Sequence, residues 1–315
     1  MDQAKKKITV FGIGGVGGAI GAMLAKTYGE QVSFIARGAR KAHIEKEGLT
    51  IHGQFTGDFT VKPGAVTDNP AELGEQDIVL VCVKNDALSQ AAQQIRPIVG
   101  EKTLVLPVMN GVTPYRQLRG ELGKGIVLPS VIYIVSMSEK DFSITQKGKY
   151  MEVHTGVIPG DEAHAADAEE VCRMFAASGI DWRYSENVLT DIWKKYVLNC
   201  AYNVSTARWG CTVGEIKADP KKMEDYRRLL AEARMVGIAQ GVELPDDLVE
   251  EMMGRLQKTP GSSTSSLSRD FAEGKAGEFE MFSGDLVRMA AAEGVPVPVS
   301  ERYYEAMKEI AAGFR

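Results

Sequence analysis

Few stretches leave a chain less choice than residues 6–29, "KKITVFGIGGVGGAIGAMLAKTYG". An apolar strand runs into glycines at Gly12, Gly14 and Gly17, with Gly15 and Val16 between them, and a helix is expected from near Ala19. In this spacing the first glycine permits a tight turn, the second lets backbone approach a pyrophosphate, and the third packs helix against strand. The helix N-terminus offers N–H groups and a positive dipole end to the phosphates. Alone the pattern is weak. After an apolar strand and before a helix, it points to dinucleotide binding rather than to a merely structural turn.

The residues that follow keep alternating between strand and helix signals. "QVSFIARG" is a short β-rich run, and "QDIVLVCVKND" and "KTLVLPVMNG" are nearly continuous apolar strands of the kind buried on both faces of a parallel sheet. Further strand signals, "GIVLPSVIYIVS" and "KYMEVHTG", precede a helix near 161–178 and a final strand, "IDWRYS". From about 186 strand signals vanish, and helices are expected at 186–207, 221–241 and 246–258 and on both sides of "EGVPVPVSERYY". The expected fold class is α/β: a Rossmann-type doubly wound domain over 1–185, then an all-α domain over 186–315. "TPGSSTSSLSRD" reads by composition as a flexible linker.

Composition removes several classes of function. With 315 residues, 44% of them hydrophobic, the chain can bury a sizeable core, and a net charge of −5 gives no global basic footprint for nucleic acid or anionic membrane. No apolar run reaches the roughly 18 residues of a spanning helix, and no signal-peptide core precedes the first strand, so a cytoplasmic location is expected. Cys82, Cys172, Cys200 and Cys211 are scattered without metal-ligand spacing and read as buried, reduced thiols; the four histidines are equally dispersed. No metal is expected.

Which nucleotide would bind is written at the end of the second strand. An acidic residue there takes the ribose hydroxyls of NAD, whereas an arginine suits a 2′-phosphate. This chain has Ile35-Ala36-Arg37-Gly38, which favours NADP, with Arg40 and Lys41 nearby. Lys84 and Asn110 stand just past two other strands, on the edge where open α/β sheets bind ligands.

The helix "DIWKKYVLNCAYNVSTARWG" poses a separate question, since Lys195, Asn199 and Asn203 recur at four-residue intervals among apolar neighbours. Four residues turn a helix by about 400°, so the three side chains climb one face. Such a row is either an ordinary exposed face or the wall of a wet cleft that receives a ligand. A cleft between the two domains is where a small polar substrate is expected to meet a nicotinamide.

Taken together, "GIGGVGG", the "VKND" lysine, the "NG" after the apolar strand, "WKKYVLNCAYN" and "SSTSSLSRDFAEGKAGEFEMFSGDL" resemble the ketopantoate reductases (2-dehydropantoate 2-reductases) over essentially the whole chain. The resemblance implies NADPH-dependent reduction of ketopantoate to pantoate, as in pantothenate biosynthesis, with Lys195 as general acid and Glu278 as its catalytic partner. It implies that Asn110, Asn199, Asn203 and Ser266 bind substrate, and that Arg37, Lys84, Asn110 and Glu278 join the glycine turn on the cofactor. It also implies that the serine-rich stretch is an ordered helix start, and a homodimer is the assembly considered. The chain departs from the usual family pattern at Lys275, Gly277, Glu280, Met109 and Val213, which leaves open a related reductase of another 2-oxo acid. A non-catalytic NADPH-binding sensor is a third reading, disfavoured because a sensor has no need of a proton donor.

Overall fold

The computed structural model describes residues 5–314, which divide into two compact units, one up to Val188 and one from Leu189. The first unit contains β1 (Ile8–Phe11), α1 (Gly15–Tyr28), β2 (Val32–Ile35), α2 (Gly38–Glu47), β3 (Leu49–Gly53), β4 (Phe59–Val61), β5 (Ala65–Thr67), β6 (Ile78–Val81), α3 (Leu88–Ile95), β7 (Leu104–Pro107), α4 (Pro114–Leu122), β8 (Ile126–Val127), β9 (Ser130–Ser138), β10 (Ile144–Thr155), α5 (Ala165–Ala176) and β11 (Asp181–Tyr184). Six strands form a wholly parallel sheet in the order β5-β2-β1-β6-β7-β8. Strands β1, β6 and β7 are buried at every position, as a sheet covered on both faces requires; β6 and β7 are apolar throughout, and the one polar side chain of β1, Thr9, donates to Gln76 Oε1 at 2.9 Å.

The sequence signals miss one feature of this unit. A second, mixed sheet of order β11-β10-β3-β4 pairs β9 antiparallel to β10, and α1 packs against strands of both sheets. Strands β3 and β4 are short, and their polar residues Thr50, His52 and Thr60 hide the strand pattern. Helix α1 also starts at Gly15, four residues before Ala19, despite its glycines. Glycine is a poor helix former, and tertiary packing overrides the propensity. A Cβ at position 18 would strike Ile144, and one at position 21 would lie 2.9 Å from Phe34, so these glycines let α1 nestle between the sheets.

The second unit contains most of α6 (Val188–Trp209), then α7 (Val213–Ala218), α8 (Pro220–Ala239), α9 (Leu248–Lys258), α10 (Ser266–Ala272), a π-helical turn at Glu280–Gly284, α11 (Asp285–Glu293) and α12 (Pro298–Ala311). Its helix ends are fixed by side chains. Thr212 and Glu215 form a reciprocal cap on α7, and Asp219 caps α8 ahead of Pro220. Buried Glu232 accepts from the Val299 and Ser300 amides at 2.9 and 2.7 Å, placing a carboxylate at the positive end of α12. Among the described residues no helix is long and apolar enough to cross a membrane.

Candidate functional site

In the first unit, strands β2, β1, β6 and β7 are parallel neighbours, so their carboxyl ends share one edge. Arg37, the glycine turn, Lys84 and Asn110 follow those four strands in turn. Sequence positions far apart are thus gathered at the place where such sheets take ligands, on both sides of the switch between β2-β1 and β6.

The turn itself is shaped by close approaches. Gly12 has φ +94°, and a Cβ there would lie 2.7 Å from the Cys82 carbonyl oxygen, while a Cβ at Gly17 would overlap the Gly12 carbonyl. Around Gly14 the situation is reversed, since a Cβ would meet nothing within 4 Å. Gly15, Val16 and Gly17 form the first turn of α1, which has no side-chain cap and no acidic residue. A diphosphate fits that arrangement: there is space beside Gly14, and the helix presents amide donors and its positive end.

Arg37 is exposed at the N-cap of α2, and its guanidinium donates to Gln94 Oε1 at 3.3 Å. Arg40 has a different role. It donates to the Ile13 carbonyl inside the glycine turn and lies 5.4 Å from the centre of the Phe142 ring, and burial lowers its pKa. Lys84 is exposed just beyond β6, and Asn110 is partly buried just beyond β7, next to buried Met109.

In the second unit the polar row on α6 is a connected structure. Asn203, 5% exposed, donates through Nδ2 to Asn199 Oδ1 at 3.1 Å, and Ser266 Oγ on α10 donates to Asn203 Oδ1 at 3.4 Å. The serine-rich stretch is no linker in the structure. Ser265 caps α10, accepting from the Ser268 amide at 3.0 Å and from Thr206 Oγ1 of α6 at 2.7 Å, which fixes Ser266 against the row.

Lys195 stands at the other end of the row. Part of its side chain reaches the surface, yet burial of the ammonium is the largest influence on it and draws its pKa down from 10.5 to about 8, with Glu278 pulling the other way. The π-helical turn begins two residues after Glu278, and fully buried Tyr196 donates to its Met281 carbonyl at 2.7 Å. Lys194, the adjacent residue, points elsewhere and pairs with Glu251 of α9 at 3.6 Å. An ammonium with its pKa lowered to about 8, a carboxylate acting on it and a line of neutral amide and hydroxyl groups are chemically suited to protonating a developing oxyanion and recognising a small oxygen-rich molecule.

Tyr196 and Ser265 carry no local signal in the sequence, because their roles depend on partners distant in the chain, and Arg40 stands out there only as a neighbour of Arg37. All four cysteines are free and buried, and burial pushes the Cys82 thiol up to about 12. Among the described residues no group of three or more His, Cys, Asp or Glu side chains is arranged to hold a metal ion.

Known proteins match the chain along nearly its full length. Residues 8–160 match the family model "Ketopantoate reductase PanE/ApbA", and residues 187–311 match "Ketopantoate reductase PanE/ApbA C terminal". A crystal structure of a PanE/ApbA family ketopantoate reductase from Ralstonia eutropha is 30% identical, with a TM-score of 0.86, 97% of this chain and 98% of that one being covered. A 2-dehydropantoate 2-reductase of Caulobacter vibrioides is 29% identical over 294 residues, 93% of this chain and 95% of the relative. An uncharacterized oxidoreductase of Bacillus subtilis is 27% identical over 298 residues, 95% and 96% of the two chains. By these matches, and with a fold in agreement, the chain belongs to the ketopantoate reductase family of oxidoreductases.

Proposed function

We propose that this oxidoreductase reduces ketopantoate to pantoate with NADPH, the step used in pantothenate biosynthesis, and that Lys195 is its general acid. The observation that carries the reading is the Lys195 ammonium, brought to about 8 by burial and accompanied by Glu278. Bound NADPH supplies a hydride to the keto carbon. As negative charge grows on the carbonyl oxygen, the Lys195 ammonium stabilises it and donates a proton to it, giving the hydroxyl. Glu278 orients the ammonium and favours its charged form. Asn199, Asn203 and Ser266, already linked to one another, hold substrate oxygens with neutral donors and acceptors, and Asn110 positions the reacting carbonyl. On the cofactor side the glycine turn takes the diphosphate, Lys84 the neighbouring ribose and phosphate oxygens, and Arg37 the 2′-phosphate.

A panel of 2-oxo acids assayed with NADPH tests the substrate. Ketopantoate is expected to have the highest kcat/KM. A preference of about tenfold or more for another acid, about 1.4 kcal/mol of transition-state binding, moves the assignment to a related reductase, and no turnover with any acid points to a sensor. In the same assay, Arg37→Ala is expected to raise KM for NADPH far more than for NADH, because only NADPH carries the phosphate. Equal losses would make Arg37 a surface residue.

A further inference from the structure

Glu278 acts on Lys195 from a segment whose backbone is unusual. Two residues later the chain enters the π-helical turn Glu280–Gly284, a rare geometry that occurs most often at functional sites. The turn is bound back to Glu278 itself, since the Phe282 amide donates to the Glu278 carbonyl at 3.1 Å. Met281, Phe282 and Ser283 are all buried, so a carbonyl in the turn needs a partner inside the protein. For Met281 that partner is the Tyr196 hydroxyl, at 2.7 Å. Tyr196 directly follows Lys195 on α6 and is anchored in its turn. Its ring meets Trp193 edge-on with centres 5.4 Å apart, and Trp193 lies against α8, where a Cβ at Gly237 would be 2.8 Å from the indole. Other bonds to the turn lie at the surface, where exposed Glu280 accepts from Tyr304 at 3.1 Å and from Arg288 at 3.0 Å.

We propose that Tyr196 is a positioning residue of the reductase: its hydroxyl, by holding the Met281 carbonyl, fixes the segment that carries Glu278 where the carboxylate orients the Lys195 ammonium. The inference rests on the reading of Lys195 and Glu278 as an acid and its partner. Tyr196 acts through Glu278 and not on the substrate. Phenylalanine would fill the same space, so packing alone gives no reason for a hydroxyl at this fully buried position, and what the hydroxyl adds is the bond to the turn. The groups that influence the tyrosine are Asp285 and Arg288 of α11 and the Cys200 thiol one turn along α6, whereas Glu278 is the charge that acts on Lys195 and Lys194 is turned away to Glu251.

The test follows the titration of Lys195 itself, by NMR on lysine-labelled protein with Lys195→Ala for assignment, together with kcat and KM. Tyr196→Phe keeps the ring and removes the bond. Because a buried carbonyl then loses its donor, the melting temperature falls whatever else the tyrosine does, and the Lys195 titration decides. Its midpoint, about 8 in the wild type, is expected to drop by roughly half a pH unit to one pH unit as the carboxylate that favours the ammonium draws back. On the plateau below that midpoint kcat is expected to fall by about 3–10-fold, with KM for the oxo acid and NADPH affinity almost unchanged. Glu278→Gln is expected to lower the midpoint by about one pH unit or more, and Tyr196→Phe added to it is expected to lower it no further. Tyr304→Phe, which loses surface bonds to the same turn, is expected to leave the midpoint in place. An unmoved midpoint in Tyr196→Phe, an equal drop in the Glu278→Gln background, or an equal drop in Tyr304→Phe overturns the proposal. If Glu278→Gln itself leaves the midpoint where it was, the reading of the pair fails, and the proposal with it.

Discussion

The two units encode their chemistry in different ways. In the first, the features proposed to meet a ligand are chiefly backbone: a turn that Gly12 enters at φ +94°, open space at Gly14, and the uncapped first turn of α1. In the second they are side chains carried by rigid helices, with Asn199 and Asn203 on α6, Ser266 on α10, and Lys195 beside Glu278. A backbone device needs residues that are close in sequence and mostly glycine. A side-chain device needs only that distant helices hold their partners, so its members are spread from 195 to 278.

The sharpest way to break this contrast is Lys195→Ala. It is expected to lower kcat by roughly 10²–10⁴-fold, the usual contribution of a positioned general acid, with NADPH affinity measured by calorimetry almost unchanged. Lys194→Ala is the control. It loses an ion pair to Glu251 between side chains about a third exposed, an interaction worth about 0–1 kcal/mol, and kcat is expected to hold. If the Lys194 variant were the inactive one, the row on α6 would be a structural face.

The complementary change in the first unit is Gly12→Ala. A residue with a Cβ forced to this positive φ is strained by about 1–3 kcal/mol, and the Cys82 carbonyl blocks the Cβ as well. Cofactor affinity is expected to weaken by about 10–100-fold, with a lower melting temperature, while kcat at saturating NADPH is largely retained. A loss of kcat with unchanged affinity would show that the turn does more than hold the nucleotide.

The smallest expected effect sharpens the role of the lysine through pH. A proton donor must be charged, so kcat for reduction is expected to be flat below about 8 and to fall by up to about tenfold per pH unit above it. The sign for folding is opposite to that of an ordinary salt bridge. Because the native pKa lies below the 10.5 of the free side chain, Lys195 costs stability while both states are protonated, below about 8, and the cost disappears as pH rises towards 10.5. A kcat profile with no limb between pH 7 and 10, measured where NADPH is saturating, would remove Lys195 from the proton-transfer step.

Much of the first unit could be read in advance because its signals are local. Fully apolar strands such as Ile78–Val81 announce a sheet covered on both faces, and the glycine spacing announces the turn. The second sheet could not be read, since β3 and β4 are short, partly polar, and stable only through pairing with β10 and with each other. The serine-rich stretch shows the same limit: composition makes it a linker, whereas Ser265 caps α10 through the Ser268 amide and is tied to α6 by a buried hydrogen bond from Thr206.

For the site, the sequence by itself determined which residue types could do chemistry and how they are spaced along an element. Periodicity put Lys195, Asn199 and Asn203 on one face, and the sheet rule put Arg37, Lys84 and Asn110 at strand ends. Only the tertiary structure decided that burial lowers the pKa of Lys195 while Lys194 pairs with a carboxylate on another helix. Neighbours one position apart on a helix face directions about 100° apart, and what each direction meets is set by other helices: Glu251 of α9 for one, an enclosed environment beside Glu278 for the other. A pKa depends on the water and charge around an atom, and those are supplied by chain segments that no local pattern in α6 can name.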